Sequence, residues 1–464
     1  MTAEQSKPKS GRTTNPNSPE FMKFISGGWA NESNPLPERA EVAAYAAERR
    51  AKVAAAFPGK LLVIEAGGTQ VRSNDTEYRY RPHTAFAHLT GWGAKTVPDS
   101  VLVIDARAHA HNSQLYFRPT AGRETEEFFT NTMIGEFWVG PRPGLDSVSA
   151  LLGIETFDLA ELDELLSNLP DNLVVRLDDA ELRQFVDELR LIKDDYEIRE
   201  MRGAVAASAE GFNDVLRALP WAMAHDRGER VVESAFFARA RMDGNDLGYE
   251  TIAASGSHAC ILHWIQNDGP VRQGDLLLLD AGIELESLYT ADVTRTIPVT
   301  GHFTPVQRKI YEAVLEAADA AFAIAKPGVK FRHLHEAAME VIARKAVEWG
   351  FVDLTLDELL AGDRQLHRRW MVHGTSHHLG MDVHDCDRAR AEMYREAELR
   401  PGMIFTIEPG LYFQPDDLLV PEEFRGIGVR IEDDVLVTED GVENLTAALP
   451  RHPDDVEAWI ASAS

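Results

Sequence analysis

Two apolar runs, each closing on an acid with a glycine two positions later, restrict this chain more than any other feature. One is Gly274-Asp-Leu-Leu-Leu-Leu-Asp280-Ala-Gly282 and the other Gly402-Met-Ile-Phe-Thr-Ile-Glu408-Pro-Gly410. Each is followed by a second acid-bearing run, Ala291-Asp292-Val-Thr-Arg-Thr-Ile-Pro-Val in the first case and Val429-Arg-Ile-Glu432-Asp-Asp-Val-Leu-Val in the second. Short runs of this composition read as strands. A single acid at a strand end can serve a turn or a cap. Four in matched pairs ask for more, because a buried carboxylate without a partner is costly. A metal is the economical partner, and the repeated shape implies a duplicated scaffold with two acids from each half.

Between the two acid pairs, residues 371–385 gather His373, His377, His378 and His384 with Asp382 and Asp385. Imidazoles and carboxylates at that density suit a metal or acid–base site. Taken alone, a solvated histidine loop would read the same way. The zinc helix His-Glu-x-x-His is excluded, since Gly374 stands where the glutamate belongs between His373 and His377. Asp280, Asp292, Glu408 and Glu432 bring four negative charges and His377 a neutral nitrogen. Two divalent cations balance that set, whereas one would be outweighed. Carboxylate-dominated ligation with one imidazole favours Mn2+, Co2+ or Zn2+ over copper. Two such ions hold a bridging hydroxide as a nucleophile and polarise a carbonyl. The expected reaction is hydrolysis of an amide or ester.

Charge narrows the partners. Lys+Arg 47 against Asp+Glu 75 gives a formal charge of -28, which repels phosphate backbones and anionic membranes. Neither nucleic acid nor a membrane is expected as a partner. The two cysteines, Cys260 and Cys386, form no disulfide framework and agree with a reducing compartment. No apolar run reaches a membrane span, and the first 20 residues lack a signal peptide's hydrophobic region, so a cytoplasmic location is expected.

The length of 464 residues calls for more than one domain. Residues 1–36, poor in apolar side chains, read as a flexible extension. Residues 37–188 read as an α/β domain, with a helix over 37–57, strands over 60–66, 100–105 and 114–117, and helices over 158–167 and 179–191. A long helix over 194–216 opens the second domain, residues 189–464. Within that domain, Thr304 and Pro305 start a helix reaching Ala325, and another runs from Phe331 to Trp349 and stops at Gly350.

Several of these stretches together resemble a known family. Ile261-Leu-His263-Trp, Asp280-Ala-Gly, Ala291-Asp292-Val-Thr-Arg-Thr, His373-Gly-Thr-Ser-His377, Asp382-Val-His384-Asp385, Glu408-Pro-Gly-Leu-Tyr and Gly428-Val-Arg-Ile-Glu432-Asp are similar to the motifs of the pita-bread metallopeptidases, within them the aminopeptidase P and prolidase group. The resemblance spans residues 189–449 and continues more weakly over residues 78–166, with Leu89-Thr-Gly-Trp, as that family's N-terminal domain. It implies a mixed α/β (α+β) fold, an N-terminal α/β domain followed by a pita-bread catalytic domain.

The resemblance also assigns roles by motif. Asp280, Asp292, His377, Glu408 and Glu432 would ligate two divalent metal ions, Mn2+ first and Co2+ or Zn2+ as alternatives. Asp292 and Glu432 would bridge the ions, and Glu408 would also shuttle the proton of the attacking hydroxide. His263 and His384 would hydrogen-bond the scissile carbonyl, and His373 and Arg430 would support the ligands. The implied activity is release of the N-terminal residue from peptides with proline in second position. A prolidase, cleaving Xaa-Pro dipeptides, is the alternative, and a non-catalytic peptide-binding module a more distant one. Ser376, where prolidases more often carry glycine, favours the aminopeptidase. A homo-oligomer, dimer or tetramer, is implied as well. One departure stands out: eleven residues separate Asp280 from Asp292, where the family usually has ten. Placed in a strand, the extra residue would turn Asp292 to the wrong face, so it is expected in a turn around residues 285–288.

Overall fold

The structure, a computed structural model, describes residues 18–30, 35–108, 111–361 and 364–463. Much of the expected N-terminal extension, residues 1–17 and 31–34, lies outside the described residues. Within it Pro19–Ile25 forms a short helix, capped by the Ser18 hydroxyl, which accepts from the Phe21 N–H at 3.2 Å.

The first domain is built on a five-stranded sheet in the order Glu155–Asp158, Asn112–Phe117, Val101–Asp105, Leu61–Glu65, Val174–Arg176. The three middle strands are antiparallel and the two outer ones join in parallel. Both faces are covered, so the middle strands read as continuous apolar runs. Leu62, Ile64, Leu102 and Ile104 pack with Val53, Phe86 and Val186, while Leu61, Val63, Val101 and Val103 pack with Leu162 on the other face.

Two boundaries of the first domain differ most from the sequence expectation. The first helix starts at Val42 rather than 37, because the Ala40 N–H is drawn to the Leu151 carbonyl at 2.9 Å. Residue 158 ends a strand instead of starting a helix: Glu155–Asp158 pairs with the sheet edge, and Asp158 then caps a 3-10 turn before helix Leu162–Ser167.

The second domain opens with helix Asp195–Ala224, capped by Asp194 and Glu197 in a reciprocal box. It runs past the expected end at 216 and through Pro220. The proline forgoes one hydrogen bond close to the C-terminus. Leu216, Leu219 and Ala222, all buried in the core, hold the final turns in place. The duplicated scaffold is visible in the strands. Ile252–Ser255, Leu276–Ala281 and Val293–Pro298 form one three-stranded sheet; Ile404–Ile407, Asp433–Val437 and Val442–Asn444 form the other. Helices Pro305–Ile324 and Arg332–Glu348 lie between the halves in sequence and pack in the same core. The halves meet along one seam, where the Glu432 N–H donates to the Thr294 carbonyl at 3.1 Å and the Thr296 hydroxyl to the Arg430 carbonyl at 2.9 Å.

The histidine-rich loop, residues 371–385, contains no helix or strand and satisfies its backbone against the Ile404–Ile407 strand. The Leu379 N–H donates to Ile404 O at 3.1 Å, and His377 O accepts from the Thr406 N–H at 2.9 Å. Among the described residues no helix is long and apolar enough to cross a membrane.

Candidate metal centre and catalytic cleft

Strand register decides where the four acids point. Asp280 pairs with Thr294 and Ala281 with Val293, and the same antiparallel register reappears at the Glu284–Thr290 bridge. Asp280 and Asp292 are therefore diagonal neighbours on one face. The hairpin closes over residues 285–289, where the Leu285 N–H donates to Tyr289 O at 2.9 Å and Leu288 takes a left-handed φ of 73°. With the register unbroken up to Thr290, the eleven-residue spacing is taken up in this turn. In the second half Ile407 pairs with Asp433 and Gly410 with Arg430, which sets Glu408 and Glu432 across from each other.

All five expected ligands line one cleft of about 690 Å³, together with His263, His373, His384 and Arg430. Asp292, His377 and Glu432 each offer a ligand atom, and these atoms lie within 4.8 Å of one another. His377 Nε2 lies 3.3 Å from Asp292 Oδ2 and 3.6 Å from Glu408 Oε1. Asp280 is held from behind, by Arg430 and by the Tyr249 hydroxyl at 2.7 Å. Arg430 also donates to Thr294 Oγ1 and to the Tyr412 hydroxyl, at 3.1 and 3.0 Å. Tyr412 in turn donates to His373 Nε2 at 2.8 Å, while His373 Nδ1 donates to Gly374 O at 2.7 Å. A continuous chain of bonds thus runs from His373 through Tyr412 and Arg430 to Asp280.

The electrostatics are those of an anionic cage. Burial raises Glu408 to about 7, with Asp292 and Asp280 adding to the rise and His377 and Arg430 opposing it. Burial and the neighbouring acids push Glu432 well above the usual carboxylate range. For Asp280, burial and Asp292 outweigh Arg430 and raise it too. Burial disfavours a charged His377, but Asp292 and Glu408 prevail and lift it to about 9. Burial and Arg430 drive His373 down to about 3, so it stays neutral. Among the described residues, Arg430 is the one arginine or lysine lining the cleft beside the four acids. Divalent cations at this donor set would reverse the carboxylate shifts, and the chemistry of the donors fits them.

Besides Tyr412, three participants escaped the sequence reading. Tyr249 touches Asp280 and Asp292, Thr294 donates to Glu432 Oε2 at 2.7 Å, and Asp434 Oδ2 accepts the Asp292 N–H at 3.2 Å. Thr294 and Asp434 lie two residues beyond Asp292 and Glu432, on the same face of their strands, and that period-two spacing could have flagged them.

Residues 199–439 match the model of metallopeptidase family M24. The chain is also 47% identical to Xaa-Pro aminopeptidase 1 of Streptomyces coelicolor, over 96% of this chain and 92% of that protein. The chain belongs to metallopeptidase family M24. Its first domain, over residues 46–174, matches the aminopeptidase P N-terminal domain. Aminopeptidase P from E. coli in a low-pH form superimposes with a TM-score of 0.78 at 31% identity, over 91% of this chain and 98% of that one. A zinc-substituted form of the E. coli enzyme in complex with product gives 0.78 at 30% identity, over 92% of this chain and 100% of that one. The two-part architecture of this M24 chain is therefore an aminopeptidase P-type N-terminal domain followed by a pita-bread domain, and the protein is a hydrolase of the aminopeptidase kind.

Proposed function

We propose that this M24 enzyme releases the N-terminal residue from peptides with proline in second position, using two divalent metal ions held by Asp280, Asp292, His377, Glu408 and Glu432. Mn2+ is the favoured metal, with Co2+ or Zn2+ as alternatives, and Asp292 and Glu432 are the residues that would help hold both ions. The observation that carries the reading is the convergence of these donors in one cleft, with ligand atoms of Asp292, His377 and Glu432 within 4.8 Å of one another and His263 and His384 lining the same cleft. The relatives named Xaa-Pro aminopeptidase support the substrate class, and the zinc-substituted E. coli enzyme supports the binding of a divalent metal.

When bound, the cations supply an activated water at neutral pH and polarise the scissile carbonyl. The protein does the rest. His263 and His384, whose ring nitrogens bond to no protein group among the described residues, hold the carbonyl oxygen and the negative charge that develops on it. Glu408 takes the proton of the attacking water and passes it to the proline nitrogen as the C–N bond breaks. That transfer is needed because the proline nitrogen leaves as an amine and not as a strongly basic amide anion. Arg430 fixes Asp280, and His373 braces Arg430 through Tyr412. Ile252, Leu262, Ile265 and Val383 give the cleft an apolar wall for the proline ring. By the family resemblance the enzyme works as a homo-oligomer, dimer or tetramer, and its two cysteines agree with a reducing compartment, the cytoplasm.

The test is a paired assay on Mn2+-reconstituted protein, comparing an Xaa-Pro-Xaa tripeptide with an Xaa-Pro dipeptide, alongside Asp292→Ala. The tripeptide is expected to be the better substrate, with its cleavage falling at least about a hundredfold in Asp292→Ala. Preference for the dipeptide would make the protein a prolidase, and turnover of neither by metal-loaded protein would overturn the reading.

A further inference from the structure

His263 reaches the cleft from a segment that has little structure of its own. Residues 256–260 make a 3-10 turn, and residues 261–269 form neither helix nor strand. A group that must meet a developing charge needs a fixed position, and a bare loop does not give one.

Glu229 gathers this segment from beneath. It lies in the first turn of helix Gly228–Asp243 and is fully buried, at 0% exposure. Its Oε1 accepts the Ser255 N–H at 2.8 Å and meets His258 Nδ1 at 2.7 Å. Its Oε2 accepts the Trp264 indole N–H at 2.9 Å and the Gly269 N–H at 2.7 Å. The Glu229 N–H returns a bond to the Gly269 carbonyl at 3.0 Å. His258 stacks on Trp264, ring centroids 3.9 Å apart, so two of the four donors also brace each other. The partners stand before the loop, within it and at its end, and one of them, Trp264, is the residue after His263. A helix-end acid placed only to satisfy the helix dipole would sit near water and bond its own first turn. This one is withdrawn from solvent, and all four of its partners belong to residues 255–269.

We propose that Glu229 is a positioning residue for the reaction, setting where His263 points into the cleft by tying residues 255, 258, 264 and 269 to one carboxylate. The proposal rests on the reading of His263 as a group that binds the scissile carbonyl. Glutamine has the same shape but one acceptor oxygen, so Glu229→Gln strips two of the four donors of their acceptor.

The experiment compares Glu229→Gln, His263→Ala and the double variant in the full-length, Mn2+-loaded enzyme, reading kcat, KM and bound metal. Glu229→Gln is expected to lower kcat roughly tenfold to a hundredfold, with metal content equal to the parent's and KM changed less than about threefold. The double variant is expected to lose no more than His263→Ala alone, because both changes remove the same interaction. Losses that multiply, or an unchanged kcat in Glu229→Gln beside an impaired His263→Ala, would overturn the proposal and leave the assigned function standing. A fully active His263→Ala would overturn the role of His263 and this proposal with it. Should Glu229→Gln fail to fold, Trp264→Phe keeps an aromatic ring beside His258 and removes the indole N–H that Glu229 accepts. The same non-additivity with His263→Ala is expected there, and multiplying losses would again count against the idea.

Discussion

At the scale of single residues, Tyr249 has the clearest consequence. Its one hydroxyl proton lies between Asp280 and Asp292, and burial together with those two acids holds the phenol well above its usual pKa. It therefore remains a donor at any working pH and orients both carboxylates. Tyr249→Phe is expected to weaken divalent-metal binding about 10- to 100-fold with the fold intact. Calorimetric titration with Mn2+ measures this, and an unchanged affinity would show the hydroxyl to be dispensable. The four acids were legible in the sequence because a charge at the end of an apolar strand breaks the local pattern. Tyr249 was not, because an aromatic residue between two short strands breaks none. The contact that gives it a role spans 31 residues to Asp280 and 43 to Asp292.

At the scale of elements, the histidine loop depends on two buried cations from the chain between the domains. Asp385 Oδ1 accepts from Arg190 Nε at 3.0 Å and Oδ2 from Lys193 Nζ at 3.2 Å, with all three residues at most 3% exposed. Burial alone would raise Asp385, but Arg190 and Lys193 hold it down at about 2. Asp385→Asn leaves two cations buried around a neutral amide and is expected to destabilise the fold by about 3–5 kcal/mol. Denaturant titration reads it, and a loss below about 1 kcal/mol would mean that water reaches the site. The hairpin that carries Asp280 and Asp292 is steadied in a similar way. Arg81 of the first domain donates to Glu284 on the hairpin and to the Met381 carbonyl on the histidine loop, both at 2.6 Å. Helix starts such as Thr304-Pro305 and stops such as Gly350 were legible, since caps are local chemistry. The end of helix Asp195–Ala224 was not: Pro220 signals a break locally, and core packing overrides it.

At the scale of the whole molecule, the first domain docks through a buried cluster in which Arg49 pairs with Asp194 and Glu197 while His88 stays neutral. His88 is 2% exposed and lies 3.2 Å from Glu197 Oε1, and Arg49 donates to the His88 carbonyl at 3.0 Å and to Asp194 Oδ2 at 2.7 Å. Burial and the Arg49 charge depress His88 from 6.5 to about 4. Between these two values the unfolded chain takes up a proton that the folded protein refuses. Stability from this group is thus complete above pH 6.5 and is lost as pH falls toward about 4. The loss is on the order of 3 kcal/mol. Thermal midpoints recorded from pH 7 to pH 4.5 are expected to fall less steeply in His88→Gln than in the parent, and parallel slopes would assign the acid sensitivity to other groups.

The two-domain α/β order, the duplicated acid-bearing strands, the histidine loop and the family were all legible in the amino-acid sequence. Each of these is written in local periodicity or in short motifs, where the physics acts over a few neighbouring residues. The tertiary structure alone decided that the long Asp280–Asp292 spacing is absorbed in the turn at residues 285–289, that His373 reaches Asp280 through Tyr412 and Arg430, and that Glu229 underlies the His263 loop. Those outcomes turn on register, burial and hydrogen bonds between distant segments, and such bonds exist only once the chain has closed on itself.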